Sequence, residues 1–196
     1  MALPHDAMTM TEAEYLVFER GSEIKHEYID GEAFAMTGAS RAHNLISVNV
    51  ITSLRTQLRG KPCQVYPSDM RVKIEGLRQY TYPDLSVACG TVQFTRDEPE
   101  SLLNPTLIVE ILSPSTERYD RGKKFQIYRK LLSLQEYVLI AQDSPRIEIY
   151  RLQVDGTWTF SDVEGLDALI QLNSIGCILD LQEVYDLITF GQDDFA

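Results

Sequence analysis

Apolar residues recur along the chain at two periods, and the changes between them mark its elements. From Ser40 to Arg59, Ile46, Val50, Ile51, Leu54 and Leu58 fall three or four positions apart, which predicts a long helix ending before a capping Gly60. Thr11 and Glu14 have capping-box spacing, so a shorter helix is expected over Glu12–Arg20. Asp30-Gly31 separates Glu27–Ile29 from Glu32–Met36 and suits a tight hairpin turn. Strand-like pieces follow at Cys63–Tyr66, Met70–Glu75 and Tyr82–Cys89. Leu107–Leu112 is nearly continuous in aliphatic residues, as in a strand covered on both faces, with Glu110 interrupting it. A helix over Arg118–Leu132 then leads to strands at Tyr137–Ala141 and Ile147–Leu152, a turn at Asp155-Gly156 and a short helix over Leu181–Ile188. The strand, helix, strand order from Leu107 to Ala141 implies a right-handed crossover, whereas the earlier strands read as an antiparallel meander. The fold class is therefore mixed α/β, with helices flanking a sheet.

With 196 residues, no repeat and no linker, the chain reads as one domain, its core at about 11–189 and its end at 190–196 frayed. A net charge of −11 disfavours coating nucleic acid or anionic membrane through the overall field, but leaves room for a local basic site. Cys63, Cys89 and Cys177 lie far apart without a C-x-x-C pair, so neither a disulfide framework nor a zinc cluster is expected, and the usage suits a reducing compartment. No apolar run approaches the roughly 20 residues that span a bilayer, and the N-terminus lacks the order of a signal peptide. A soluble, cytoplasmic protein without membrane contact is expected.

Strand alternation places Leu85, Val87 and Cys89 on one face, and Asp84, Ser86 and Ala88 on the other. The same rule groups Glu110 with Ile108 and Leu112 in a buried layer, where an ionised carboxylate needs a cation, a metal or several hydrogen bonds. Two carboxylates on nearby strands make a hard oxygen site suited to Mg²⁺, which keeps several waters. Each also has a plain structural reading: Asp84 as a strand-start residue accepting backbone hydrogen bonds after Pro83, Glu110 as an ion pair with a covering helix. Six of the 18 basic residues, Arg118, Arg121, Lys123, Lys124, Arg129 and Lys130, are concentrated between Glu117 and Lys130. Helical spacing aligns Asp120, Lys124, Ile127 or Tyr128, and Leu131, which sends Lys124 toward the sheet unless it merely pairs with Asp120. His43, near the start of the long helix, is a second-rank candidate, where a packing role is commoner than a chemical one. Glu27, Glu32 and Asp69 lie near strand ends, as turn residues or as additional metal or water contacts. Ser113 and Ser115 suit a helix cap, and no G-x-S-x-G elbow, Walker loop or G-x-G-x-x-G motif occurs.

Tyr82-Pro83-Asp84, the run Val109-Glu110-Ile111-Leu112-Ser113-Pro114-Ser115-Thr116, and Asp120 with Lys124-Phe125-Gln126-Ile127-Tyr128 resemble, in that order, the Uma family of restriction-endonuclease-like proteins, within the PD-(D/E)XK nuclease superfamily. Glu27–Glu32, His43, Ser68–Val72 and Gln135-Glu136-Tyr137 are similar to that family's patterns as well. The resemblance implies a restriction-endonuclease-like core, with Asp84 and Glu110 binding Mg²⁺ or a similar ion and a lysine assisting the attacking water. The superfamily's simplest motif would place that lysine where Leu112 stands; here it is Lys124, on the next helix.

On this reading the carbonyl of Ile111 adds a metal ligand, Mn²⁺ is a possible substitute for Mg²⁺, and Arg118, Arg121, Lys123 and Arg129 contact the backbone of nucleic acid, most naturally DNA. Lys130 joins them. The first expectation is thus a Mg²⁺-dependent endonuclease cleaving DNA phosphodiesters. The alternatives are a catalytically silent nuclease-fold module that binds nucleic acid or protein, with a homodimer as one form, and a structural domain whose Glu110–Lys124 pair only balances a buried charge.

Overall fold

A computed structural model describes residues 7–96 and 99–191 of the chain, so the expected frayed end lies outside the described residues from 192 onward. The first half contains β1 (Met8–Thr9), α1 (Glu12–Gly21), β2 (His26–Ile29), β3 (Glu32–Ala35), α2 (Arg41–Gln57), β4 (Cys63–Pro67), β5 (Val72–Ile74), β6 (Gln79–Thr81) and β7 (Leu85–Cys89). The second half contains β8 (Leu107–Ile111), α3 (Glu117–Tyr119), α4 (Phe125–Tyr128), β9 (Glu136–Ile140), β10 (Arg146–Leu152), β11 (Trp158–Glu164), β12 (Leu169–Leu172), β13 (Cys177–Asp180) and α5 (Leu181–Val184).

The capping box forms as expected: Thr11 Oγ1 accepts from the Glu14 N–H, and the Glu14 carboxylate accepts from the Thr11 N–H at 2.8 Å. Asp30 and Gly31 take φ values of +54° and +88°, the left-handed pair that a two-residue hairpin requires. That hairpin belongs to a five-stranded antiparallel sheet ordered β1-β3-β2-β6-β5, the N-terminal meander. The larger sheet is ordered β11-β10-β9-β8-β7-β4, and β8 with β9 is its parallel pair, joined by the basic helical segment. Its two faces are packed separately. Ile46, Val50 and Leu54 of α2, with its C-cap Leu58, cover Leu85, Val87, Leu107, Val109 and Ile111, while Ile127, Tyr128 and Leu131 cover the face bearing Ala88, Ile108 and Leu112.

Several expectations are corrected. The strand expected over Tyr82–Cys89 breaks at Pro83, which has no N–H for a ladder; β6 ends in the small sheet and β7 begins in the large one, leaving Asp84 at the seam. The basic helix runs over 117–128 and stops short of Leu132, with a π-helical turn, Asp120–Lys124, between α3 and α4. The last helix ends at Val184 instead of Ile188. Strands β11 to β13 add to the expected set: β11 is largely exposed, and β12 and β13 are apolar but only four residues each, with Leu169 and Ile178 exposed, too short for a period to stand out. Cys63 and Cys89 are disulfide-bonded: 26 residues apart in sequence, they face each other across the antiparallel β4–β7 pair. The cysteine argument for a reducing compartment therefore falls. Among the described residues no helix is long and apolar enough to cross a membrane.

Candidate nuclease active site

Asp84 and Glu110 come together. Leu85 pairs with Val109 and Ser86 with Ile108, so extending the antiparallel register by one residue brings Asp84 beside Glu110. Asp84 Oδ2 accepts the N–H of Ile111 at 2.7 Å, crossing the gap that Pro83 leaves in the ladder. Both structural readings are thus present as well: Asp84 does accept a backbone hydrogen bond, and Glu110 does pair with a lysine.

Lys124 is the cation at the centre. Its Nζ lies 2.9 Å from Glu110 Oε1, 3.3 Å from Glu27 Oε1 and 3.7 Å from Asp120 Oδ1. The π-helical turn leaves Asp120 and Lys124 both buried, facing the strand that carries Glu110. Such widened turns recur at functional sites because they re-aim side chains that a regular helix would send elsewhere. Tyr128, four residues after Lys124 and on the same stripe, donates its hydroxyl to Glu110 Oε1 at 2.8 Å. His43 reaches Asp84 from the start of α2, its Nε2 standing 3.1 Å from Oδ1.

Of the second-rank carboxylates, Glu27 joins the site: it contacts Lys124 and accepts the Tyr82 N–H at 3.2 Å. Asp69 is exposed and paired with Lys25 at 3.0 Å, and Glu32 is exposed on β3; the structure brings neither into the cluster. Among the basic residues, Arg121 is engaged by Glu148 and Glu117, and Lys123 by Asp30, whereas Arg118, Arg129 and Lys130 are exposed. Sequence reasoning missed Tyr128 as a partner of Glu110, whereas the expected Lys124–Asp120 pair is present alongside the contact with Glu110. The spacing of Tyr128 from Lys124 was the available signal.

The electrostatics are unbalanced. Asp84, Glu110, Asp120 and Glu27 surround one buried lysine. Burial pushes the Glu110 carboxyl well above its ordinary range; the Lys124 ammonium opposes this, and the charges of Asp84, Asp120 and Glu27 reinforce it. Burial likewise raises Asp120. Burial raises Asp84 too, but the His43 hydrogen bond and charge, Lys124 and the Ile111 N–H outweigh it and hold Asp84 below the usual carboxylate range. Lys124 is depressed by burial and raised more strongly by Glu110, Glu27, Tyr128 and Asp120, so it stays protonated. The carboxyls thus oppose one another's ionisation in a region shielded from water.

Among the described residues no group of three or more His, Cys, Asp or Glu side chains is arranged to hold a metal ion by itself. Two carboxylates beside a backbone carbonyl fit the sparser mode of Mg²⁺, whose remaining ligands are water. The uncompensated acid of the cluster is a charge that such a cation would match.

The model of the Uma2 family, described as "Putative restriction endonuclease", matches residues 12–182. The chain belongs to the Uma2 family. Two uncharacterized proteins of Synechocystis sp. (strain ATCC 27184 / PCC 6803 / Kazusa) are similar to it. One, slr1290, is 38% identical over 177 residues, 90% of this chain and 92% of the relative. The other, sll1609, is 35% identical over 164 residues, 84% of this chain and 93% of the relative. In three dimensions the fold is similar to the crystal structure of "a putative nuclease belonging to DUF820" from Anabaena variabilis ATCC 29413. That match has a TM-score of 0.74 at 20% identity and covers 92% of this chain and 99% of the other. The matched region of the family contains Asp84, Glu110 and Lys124, the three residues that the strand register and the helix bring together.

Proposed function

We propose that this family member is a divalent-metal-dependent endonuclease that hydrolyses phosphodiester bonds of DNA. The observation that carries the proposal is the juxtaposition of Asp84 and Glu110 at the seam of the two sheets, with Lys124 2.9 Å from Glu110 amid more carboxylates than it can neutralise. Asp84, Glu110 and the carbonyl of Ile111 would hold Mg²⁺, or Mn²⁺ in its place, which lowers the pKa of a bound water and offsets charge on the scissile phosphate. Lys124 orients the attacking water or stabilises the phosphate through a fixed ammonium in a low-dielectric pocket. Buried Tyr128 holds Glu110 in place through its hydroxyl. Water would add at phosphorus as the bond to the leaving deoxyribose oxygen breaks, and the proton that the water gives up is balanced by the one that oxygen takes.

Arg118 and Arg129 are the first choices for contacts to the nucleic-acid backbone, since Arg121 and Lys123 already have acidic partners. Supercoiled plasmid incubated with Mg²⁺ or Mn²⁺ tests the proposal: nicking is expected from the wild type and loss of at least about a hundredfold from Asp84→Asn, Glu110→Gln and Lys124→Met. Equal nicking by all four proteins would remove this site.

A second reading, a catalytically silent module that binds nucleic acid, draws support from the hydrogen bonds that Asp84 and Glu110 already make within the chain. It predicts salt-sensitive DNA binding, weakened by Arg118→Ala, with no metal-dependent cleavage.

A further inference from the structure

Helix α2 packs on the face of the large sheet opposite Glu110, yet its first turn reaches round the sheet's end to the site. A ring of hydrogen bonds accounts for that reach. Ser40, the N-cap of α2, accepts the His43 N–H at 3.0 Å and donates its hydroxyl to Gln142 Oε1 at 2.5 Å. Gln142, just beyond β9, donates its amide to the carbonyl of Leu112 at 2.7 Å, and Leu112 N–H in turn bonds Ile140, continuing the β8–β9 pairing. On the other arm His43 Nε2 meets Asp84 Oδ1, and Asp84 Oδ2 takes the N–H of Ile111, the residue before Leu112. The ring therefore closes through Asp84, Ile111, Leu112, Gln142, Ser40 and His43.

We propose that Gln142 is a positioning residue of the metal site: by clamping the start of α2 to the end of β8, it holds His43 against Asp84 and so fixes the carboxylate in its ligating orientation. The inference rests on the proposed role of Asp84 as a metal ligand. Each link has a physical part. The Gln142 amide accepts from the N-cap of α2 and donates to the residue after β8, so its removal unties α2 from β8 while leaving the apolar packing of α2 in place. His43, held at Nε2, keeps Asp84 Oδ1 from swinging toward solvent. Groups that orient a ligating carboxylate in this way affect metal affinity without touching the metal.

Mn²⁺ titration by isothermal calorimetry tests this independently of cleavage. Wild type is expected to bind. Gln142→Ala and His43→Ala should each weaken binding by about 10- to 100-fold, and His43→Gln, which retains an N–H donor near the position of Nε2, should recover most of it. Leu54→Ala, a cavity in the core of α2, should lower the melting temperature and leave Mn²⁺ affinity unchanged, which separates positioning from general stability. If Gln142→Ala does not fold, Ser40→Ala cuts the same link at an exposed hydroxyl and carries the same expectation. Wild-type affinity in Gln142→Ala or Ser40→Ala would overturn the inference and leave the metal site standing. No binding by the wild type would overturn the metal site and the inference with it.

Discussion

Glu110 and Glu136 stand on adjacent parallel strands and are almost equally buried, at 3% and 2% exposure, but they are satisfied in opposite ways. Glu136, at the start of β9, has a cation of its own: Arg151 Nε lies at 2.9 Å, and the N–H groups of Asn173 and Ser174 add hydrogen bonds at 3.1 and 3.0 Å. The Ser174 hydroxyl donates a further one. Glu110, toward the other end of the sheet, shares one lysine with Glu27 and Asp120 and lies within the field of Asp84. A buried acid with a full complement of partners ties strands together. A buried acid left in a crowd of like charges costs stability, and such an arrangement persists where the fold has another use for it.

The comparison yields a graded set of outcomes. The largest stability change is expected from Glu136→Ala, which removes the partner of Arg151 Nε and of two backbone donors; urea unfolding should show a loss of about 3 kcal/mol against wild type, the same with and without Mn²⁺ in both samples. Lys124→Met should follow, at about 3 kcal/mol, because it leaves Glu110 and its neighbours without a cation. Here Mn²⁺ should restore stability, by about 2.7 kcal/mol when its concentration is a hundred times the dissociation constant. Measured against wild type in the same ion, Mn²⁺ should narrow the deficit of Lys124→Met, whose site has lost a competing ammonium, and leave that of Glu136→Ala unchanged; equal narrowing would erase the distinction between the two ends of the sheet.

Glu110→Gln should change unfolding stability by less than about 1 kcal/mol, or raise it, since burial and three carboxylates disfavour the charge that the substitution removes. It should nevertheless abolish the rise in melting temperature that Mn²⁺ produces in the wild type. A loss as large as that of Glu136→Ala would mean that Glu110 is a structural residue of the same kind.

The smallest effect concerns acid. Asp84 is held below its ordinary pKa of 3.8, so the fold favours its ionised form. The resulting stabilisation is complete above 3.8 and lost as pH falls through the lowered value. Asp84→Asn should therefore lose a small stabilisation at neutral pH, flatten the acid limb below 3.8 and converge with the wild type at the acid end. An unaltered acid limb would show that His43 and Ile111 do not stabilise the carboxylate.

The parts of the molecule that could be read from the chain are those whose pattern is local. The apolar spacing of Ile46, Val50, Leu54 and Leu58 specifies α2, and the same face is the one found packed. Alternation around Glu110 and Asp84 identified the face each occupies, and helical spacing sent Lys124 toward them. What stayed hidden depends on partners distant in sequence. Cys63 and Cys89 become neighbours only when β4 pairs with β7. Glu27 reads as a turn residue until the small sheet is laid beside the helical segment that carries Lys124. Gln142 and Ser40, 102 residues apart, have no pattern in common at all. Strand β11 escaped for a different reason: at the edge of its sheet it buries little, so its alternation is faint, although the Asp155-Gly156 turn before it was visible.

The central claim is that Asp84 and Glu110 share a divalent ion. Crystals soaked in Mn²⁺ and measured for anomalous scattering test it most directly. The account predicts a peak within coordination distance of both carboxylates and of the Ile111 carbonyl, absent from Glu110→Gln crystals treated alike. A fully soaked wild-type crystal with no peak there, Asp84 still bonded to His43 and Glu110 to Lys124 and Tyr128, would contradict it.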